Sequence, residues 1–413
     1  MRIALQTLGT RGDVQPYIAL ARGLIARGHE VQIAAPEQYK SLVTERGVSC
    51  APLPGEFHAL IDTPEVKAAL AGGEGFGAGF KLLKYVRPMM RRLFDEEWKA
   101  IEAFVPDLII YHPKSVASPH MAQKLSRPCI LASPLPGFTP TAAFPSPLMP
   151  FASLGPFNRV SHVLATKEAA LLFGKLIREW RASSLGLARC RVSGPVATLY
   201  AYSPYVLLKP ADWRPDVVVS GYWFLDSPAW VTPPQLESFL KAGEPPVYIG
   251  FGSIPGLDPE RMSSLIIEAL ARTGNRGVLA TGGGALSPSR IASHVHFISS
   301  APHDRLFPHV KATIHHGGAG TTAAALRAGK PTGICPFFGD QPFWARRVFE
   351  LGAGPDPISR RSLTADTLAA AITAMANPEM RKKSAALGAA IDEENGVDQA
   401  VHFIERIATR RAV

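Results

Sequence analysis

The sequence is short of cysteine and of long apolar runs, and each shortage excludes something. Its four cysteines, Cys50, Cys129, Cys190 and Cys335, form no C-x-x-C pair. They make neither a disulfide framework nor a zinc site and read as reduced, cytosolic thiols. No stretch of about 18 apolar residues occurs, so no membrane-spanning helix is expected. The apolar opening, residues 3–8, is cut short by Arg11 and Asp13, too soon for a secretory signal. No repeat of solenoid period and no nucleic-acid module is evident, so no nucleic-acid partner is expected.

What is present describes a folded chain with ample core: 413 residues, 46% hydrophobic and 19% charged. Two domains are the natural division at this length. The formal net charge is +10. That balance favours phosphorylated ligands or anionic membrane as partners, or it is an excess spread over a solvated surface.

Residues 3–8 read as a strand, 9–16 as a turn, 16–27 as a helix closed by Gly28, and 30–35 as a second strand. This β-α-β opening predicts a parallel sheet, with ligands at the carboxyl ends of its strands. Further strands are expected at 106–112 and 127–133, and helix at 158–190. A Gly-rich stretch at 71–80 is expected to be mobile. The basic amphipathic segment after it carries Lys81, Lys84, Arg87, Arg91 and Arg92. It either lies on an anionic bilayer, in a peripheral contact with the inner membrane surface, or packs its apolar stripe on the sheet with its cations in water. The Pro- and Phe-rich segment 134–157 suits the wall of an apolar cleft. Proline clusters between 209 and 234 mark the linker, which gives a first domain over 1–212, a linker over 213–232 and a second domain over 233–387.

In the second domain, strands are expected at 246–250, 277–281, 295–298, 312–314 and 332–335. The chain is organised around the stretch 312–329: a short strand, His315, His316, a Gly-rich turn and an Ala-rich helix with Thr321 and Thr322 where an N-cap belongs. The turn is neither GxGxxG nor GxxxxGK[ST]. Gly317, Gly318 and Gly320 let the backbone approach a ligand, and a helix start favours an anion, so the stretch reads as a diphosphate seat or as an ordinary strand–turn–helix corner. Two more turns, at 250–253 and 281–284, fall on the same sheet edge. Asp340 and Gln341 stand side by side beyond a strand, fit to hold sugar hydroxyls or to cap a helix. Asp13 is either an N-cap carboxylate or a general base at the domain crevice.

Residues 9–16, Gly-Thr-Arg-Gly-Asp-Val-Gln-Pro, and 315–322, His-His-Gly-Gly-Ala-Gly-Thr-Thr, resemble the bacterial and sterol-type branch of the family 1, UDP-dependent glycosyltransferases. Residues 302–307 and 337–344 add supporting signatures, and the resemblance covers nearly the whole chain. It implies a GT-B fold, α/β with two Rossmann-like parallel-sheet domains across a cleft, and a C-terminal helix, about 388–413, packing back on the first domain. It implies an inverting hexosyltransferase with Asp13 as base and His316 on the donor diphosphate. Donor contacts would come from Gly12, Ser253, Gly282, Ala301, His303, Gly318, Gly320, Thr321, Asp340 and Gln341. The acceptor side would hold His112, Phe138, Phe144 and Met149. Segment 134–147 is similar to sterol glucosyltransferases and implies a large, flat, apolar acceptor. The expected donor is UDP-glucose or TDP-glucose, with no metal and no cofactor. An epimerase or phosphorylase on the same scaffold, and a non-catalytic membrane-surface protein, are the rival readings.

Overall fold

A computed structural model describes all residues except 56–74, 188–191, 193, 228–229, 253–257, 289–291 and 410–413, and the side chains of 75–85 and 168–172. The first half opens with strand β1 (Arg2–Gln6), helix α1 (Arg11–Ala26), β2 (Glu30–Pro36), α2 (Lys40–Thr44) and β3 (Ser49–Leu53). It continues with α3 (Gly75–Phe104), β4 (Leu108–Tyr111), α4 (Ser118–Lys124), β5 (Cys129–Ser133), α5 (Asn158–Ser184), β6 (Ala197–Tyr200) and β7 (Val217–Val219). These strands form one seven-stranded sheet, parallel throughout, in the order β3-β2-β1-β4-β5-β6-β7. Strands β4 and β5 are buried on both faces, as the middle of a helix-covered parallel sheet must be.

The second half contains α6 (Pro234–Lys241), β8 (Val247–Gly250), α7 (Pro259–Arg272), β9 (Gly277–Ala280), β10 (Val295–Ile298), α8 (His303–Leu306), β11 (Ala312–His315), α9 (Ala319–Arg327) and β12 (Thr332–Ile334). Helices α10 (Gln341–Glu350), α11 (Ala365–Ala374), α12 (Pro378–Glu393) and α13 (Gly396–Thr409) follow. Its five strands are parallel, ordered β10-β9-β8-β11-β12. Two doubly wound sheets are thus present, each with its own core.

Several elements differ from the sequence reading. Helix α1 starts at Arg11 rather than at Pro16, because the Asp13 carboxylate accepts the Thr10 amide at 2.7 Å and closes the first turn five residues earlier. Residues 75–80 form the first turns of α3, while 71–74 lie outside the described residues. Strand β7 pairs with β6, so sheet structure continues past 212 into the segment read as a linker. The polypeptide then crosses to the second half beyond Gly221. On the return crossing, α12 packs on α9 and ends at Glu393, and Asn395 takes a positive φ of 48°. Only α13 then docks on α1, burying Ala400, Val401, Phe403 and Ile404 in the first core, with Glu405 held by Arg27 at 3.0 Å. A Cβ on Gly23 of α1 would stand 2.5 Å from Val397, so a glycine is what lets α13 approach this closely.

Candidate active site: two half-sites at the switch points

In each sheet one place exists where the strand order reverses, β1/β4 in the first and β8/β11 in the second, and the loops beyond it open a crevice. Strands β1 and β4 run side by side in register, Gln6 opposite Tyr111. Their following loops therefore meet, and this brings Asp13 of α1 against His112 and Lys114. Oδ2 of Asp13 accepts the Thr10 amide at 2.7 Å, the Thr10 hydroxyl at 3.0 Å and Lys114 Nζ at 2.8 Å. Oδ1 faces only His112 Nε2, at 3.4 Å. The Lys114 amide donates to His112 Nδ1 at 3.2 Å, which leaves the ring proton on Nε2, pointing at Asp13.

Burial pushes the Asp13 carboxyl up, but Lys114, His112 and the Thr10 donors outweigh it and hold it below its ordinary range. Burial pushes His112 down to about 4, so the ring is neutral near pH 7. Gly9, at φ 128°, is required here: a Cβ would stand 2.2 Å from Asp13 Oδ2. Gly12 is exposed, and a Cβ there would make only an ordinary contact with Thr10 Oγ1 at 3.8 Å.

In the second half, His315 is fully buried and its Nδ1 accepts the Gly317 amide at 3.0 Å. His316 turns the other way, lying between Gly252 and Gly318. A Cβ on Gly318 would fall 2.7 Å from His316 Nε2, and one on Gly252 would stand 3.4 Å from Cε1. His316 Nδ1 is buried with no hydrogen-bond partner among the described residues, and burial lowers the ring to about 4. Helix α9 begins at Ala319 with Gly318 as N-cap and no side-chain cap. Thr321 and Thr322 therefore lie inside the first turn rather than at the N-cap, and the Thr322 hydroxyl bonds back to the Gly318 carbonyl at 3.0 Å. An N-cap without a side-chain acceptor leaves first-turn N–H groups, near Gly320 and Thr321, for a ligand.

His303 stacks on Phe307 at 4.4 Å and is lowered to about 4, first by burial and then by Arg11 and His316. Arg11 belongs to the first half, so the two half-sites lie within electrostatic reach of each other. Asp340 shows the same: burial raises its carboxyl, and Asp13 and Lys114 both act on it. Asp340 stands at the N-cap position of α10 but its side chain makes no cap hydrogen bond; its Oδ2 accepts Trp344 Nε1 at 2.9 Å. Gln341 is buried, its Oε1 accepting the Phe337 amide at 2.7 Å and the Phe338 amide at 3.1 Å, so that oxygen shapes the loop. Gly282 gives close passage to the Ser299 carbonyl, 2.3 Å from where its Cβ would be. Ala301 packs, partly buried, against the apolar cluster that includes Tyr248, Leu306 and Phe307. Ser253 lies outside the described residues.

The acceptor-side residues are spread along one loop. Phe138 donates its amide to Tyr200 Oη at 3.3 Å. Phe144 packs against Phe343 of α10 at 5.5 Å, across the gap between halves. Met149, half-buried, donates its amide to Ser146 at 2.9 Å. His112 stands apart from this loop, beneath Asp13. On α3, Met90, Leu93, Phe94, Trp98 and Ile101 are buried in the first domain, and Arg91 is held by Asp95 at 3.2 Å and by Ser183 at 3.0 Å. The apolar stripe of that helix packs on the sheet. Arg87 and Arg92 are exposed, and the side chains of Lys81 and Lys84 lie outside the described residues. Among the described residues no helix is long and apolar enough to cross a membrane, and no group of three His, Cys, Asp or Glu is placed to hold a metal.

Sequence reasoning missed Gly9, Arg11 and Lys114. The signal for Lys114 was topological: it stands two residues past His112, at the end of the strand that neighbours β1.

Two parallel Rossmann-like domains with half-sites at their switch points define the GT-B architecture. The glycosyltransferase family 28 N-terminal domain matches residues 3–141, and the erythromycin biosynthesis protein CIII-like C-terminal domain matches 278–395. A sterol 3-beta-glucosyltransferase of Arabidopsis thaliana is 35% identical over 97% of this chain and 64% of its own length. An O-mycaminosyltylonolide 6-deoxyallosyltransferase of Streptomyces fradiae is 36% identical over 100% of this chain and 98% of its own. The solved structure of the glycosyltransferase VinC in complex with DTDP superposes with a TM-score of 0.70 at 19% identity, covering 99% of this chain and 100% of that one, which shows the shared fold. The chain belongs to the family 1 glycosyltransferases, a family of hexosyltransferases.

Proposed function

We propose that the chain moves a hexose, glucose by preference, from UDP-glucose or TDP-glucose to a hydroxyl of a large apolar acceptor, with inversion at the anomeric carbon. The observation that carries this reading is the pairing of an ionised carboxylate, Asp13, with a buried and unsatisfied imidazole, His316 Nδ1, in opposite halves. Oδ1 is the less engaged edge of Asp13: Oδ2 takes three donors, whereas Oδ1 has the longer contact with His112 Nε2 at 3.4 Å. As the acceptor oxygen bonds to the anomeric carbon, its proton passes to Oδ1 and the bond to the diphosphate breaks. A carboxylate is far too weak a base to deprotonate an alcohol beforehand, so proton transfer accompanies bond formation.

The leaving diphosphate gains negative charge where His316 and the first turn of α9 present donors, with Arg11 and His303 beside them. His316 is neutral in the free protein and acts as a hydrogen-bond donor. Asp340 would accept from a sugar hydroxyl, and the Phe138–Met149 loop would wall the acceptor. Sterol and polyketide acceptors both suit that wall, and one of the named relatives is a sterol 3-beta-glucosyltransferase. Arg11 and the start of α9 supply the positive field a divalent ion would otherwise supply, so turnover is expected to survive chelation by EDTA.

The test is an acceptor screen with both nucleotide sugars, read by product mass, alongside Asp13→Asn. The variant is expected to lose on the order of 10²–10⁴-fold in kcat while nucleotide binding holds. Wild-type turnover in the variant, or conversion of the donor to an epimer without acceptor, would overturn the reading.

A further inference from the structure

The start of α5 is built inside out. Its polar residues face inward. Ser161 Oγ accepts the Ser146 amide at 2.7 Å, Asn158 Nδ2 donates to the Ala142 carbonyl at 2.9 Å, and Asn158 Oδ1 accepts the Leu154 amide at 2.8 Å. His162, fully buried, contacts the Phe144 carbonyl at 3.0 Å and the Gly137 carbonyl at 3.3 Å. The loop 137–154 is thereby tied to the helix. Its apolar residues face outward: Leu148, Phe151, Phe157, Val160 and Leu164 are each 45–65% exposed. These are five of the thirteen exposed large apolar side chains among the described residues, within a span of seventeen, so the clustering is not the ordinary scatter of surface apolar groups. Phe157, Val160 and Leu164 follow helical spacing and form one stripe.

The charged side chains described at the border of this stripe are cations, and Glu168, next in sequence, has its side chain outside the described residues. No Asp or Glu occurs from residue 108 to residue 167, while Arg159 and Lys167 are exposed at its border, Lys167 in line with Leu164. Asp212, which Arg159 also reaches, is held by the Thr141 hydroxyl at 2.7 Å and the Ala142 amide at 2.9 Å. Aromatic and aliphatic side chains flanked by cations are the chemistry that enters the headgroup layer of an anionic bilayer.

We propose that the outer face of α5, with the loop before it, docks on an anionic phospholipid surface. The same loop carries Phe138 and Phe144, so docking sets the expected acceptor wall at the membrane. The inference stands on the surface alone, independent of which acceptor is used.

Co-sedimentation with phosphatidylcholine vesicles, with and without a quarter of phosphatidylglycerol, tests it. The wild-type chain should sediment with the mixed vesicles and far less with phosphatidylcholine alone. Phe157→Ser, Val160→Ser and Leu164→Ser combined should weaken that binding about tenfold or more. Arg159→Gln with Lys167→Gln should abolish the preference for phosphatidylglycerol, and this second variant keeps the test valid if the first misfolds. The proposal is overturned if wild type stays in the supernatant with both vesicles or if both variants bind as wild type. It is equally overturned if light scattering shows a self-associated protein that the triple variant converts to monomer without any vesicle binding.

Discussion

At the scale of single residues, the site combines what motifs reveal with what only topology reveals. Asp13 and His316 were legible because each stands in a short, ordered signature. Lys114 and Arg11 were not, because nothing local marks a cation whose partner lies a hundred residues away or in the other domain. Lys114 holds Asp13 ionised, and this gives a sign to pH behaviour. With its carboxyl below the usual range, Asp13 as the proposed base should keep kcat/KM intact into mild acid. Lys114→Met removes the largest opposing charge, lets burial push the carboxyl up, and should move the acidic limb of the pH profile to higher pH. An unmoved limb would show that Asp13 is not the titrating base. Gly318→Ala is the counterpart in the second half: its methyl meets His316 Nε2, so donor KM should rise with little change in melting temperature.

At the scale of elements, the α/β alternation was plain wherever an apolar strand ended in glycine. Edges were harder. β3 reads Ser-Cys-Ala-Pro-Leu and β7 only Val-Val-Val, too short or too broken for periodicity to register, and pairing with a neighbour is what makes them strands. The start of α9 was misplaced because threonine is a good N-cap; a bare Gly318 there instead leaves donors unspent. On α3, Glu97 is fully buried among apolar neighbours, hydrogen-bonded to the Ser115 hydroxyl, with Oε2 unpartnered among the described residues. Burial raises its carboxyl to about 8. The folded state therefore binds a proton more tightly than the unfolded chain does, and stability falls as pH rises from about 4.5 to about 8. Glu97→Gln should melt higher than wild type at pH 8 and alike at pH 4, a comparison for calorimetry. Equal melting at both would mean the carboxyl is not held protonated.

At the scale of the whole molecule, two sheets, each with its own core, share one apolar cluster and are joined by two passages of chain, and the passages touch. The Tyr222 amide donates to Glu394 Oε1 at 2.9 Å, and a Cβ on Gly396 would lie 2.4 Å from the Tyr222 carbonyl. Gly396→Ala should therefore part the passages and cost about 1–3 kcal/mol, measurable by denaturant unfolding; a variant as stable as wild type would show the contact to be loose. Outgoing and returning chain pinned at one spot act as the rivet of a pair of scissors. Beside that rivet the blades are also clamped by a shared apolar cluster, Tyr200, Tyr202 and Trp213 of the first half against Trp344 and Val348 of the second, so the spacing between Asp13 and His316 is braced by packing as well as by the pin.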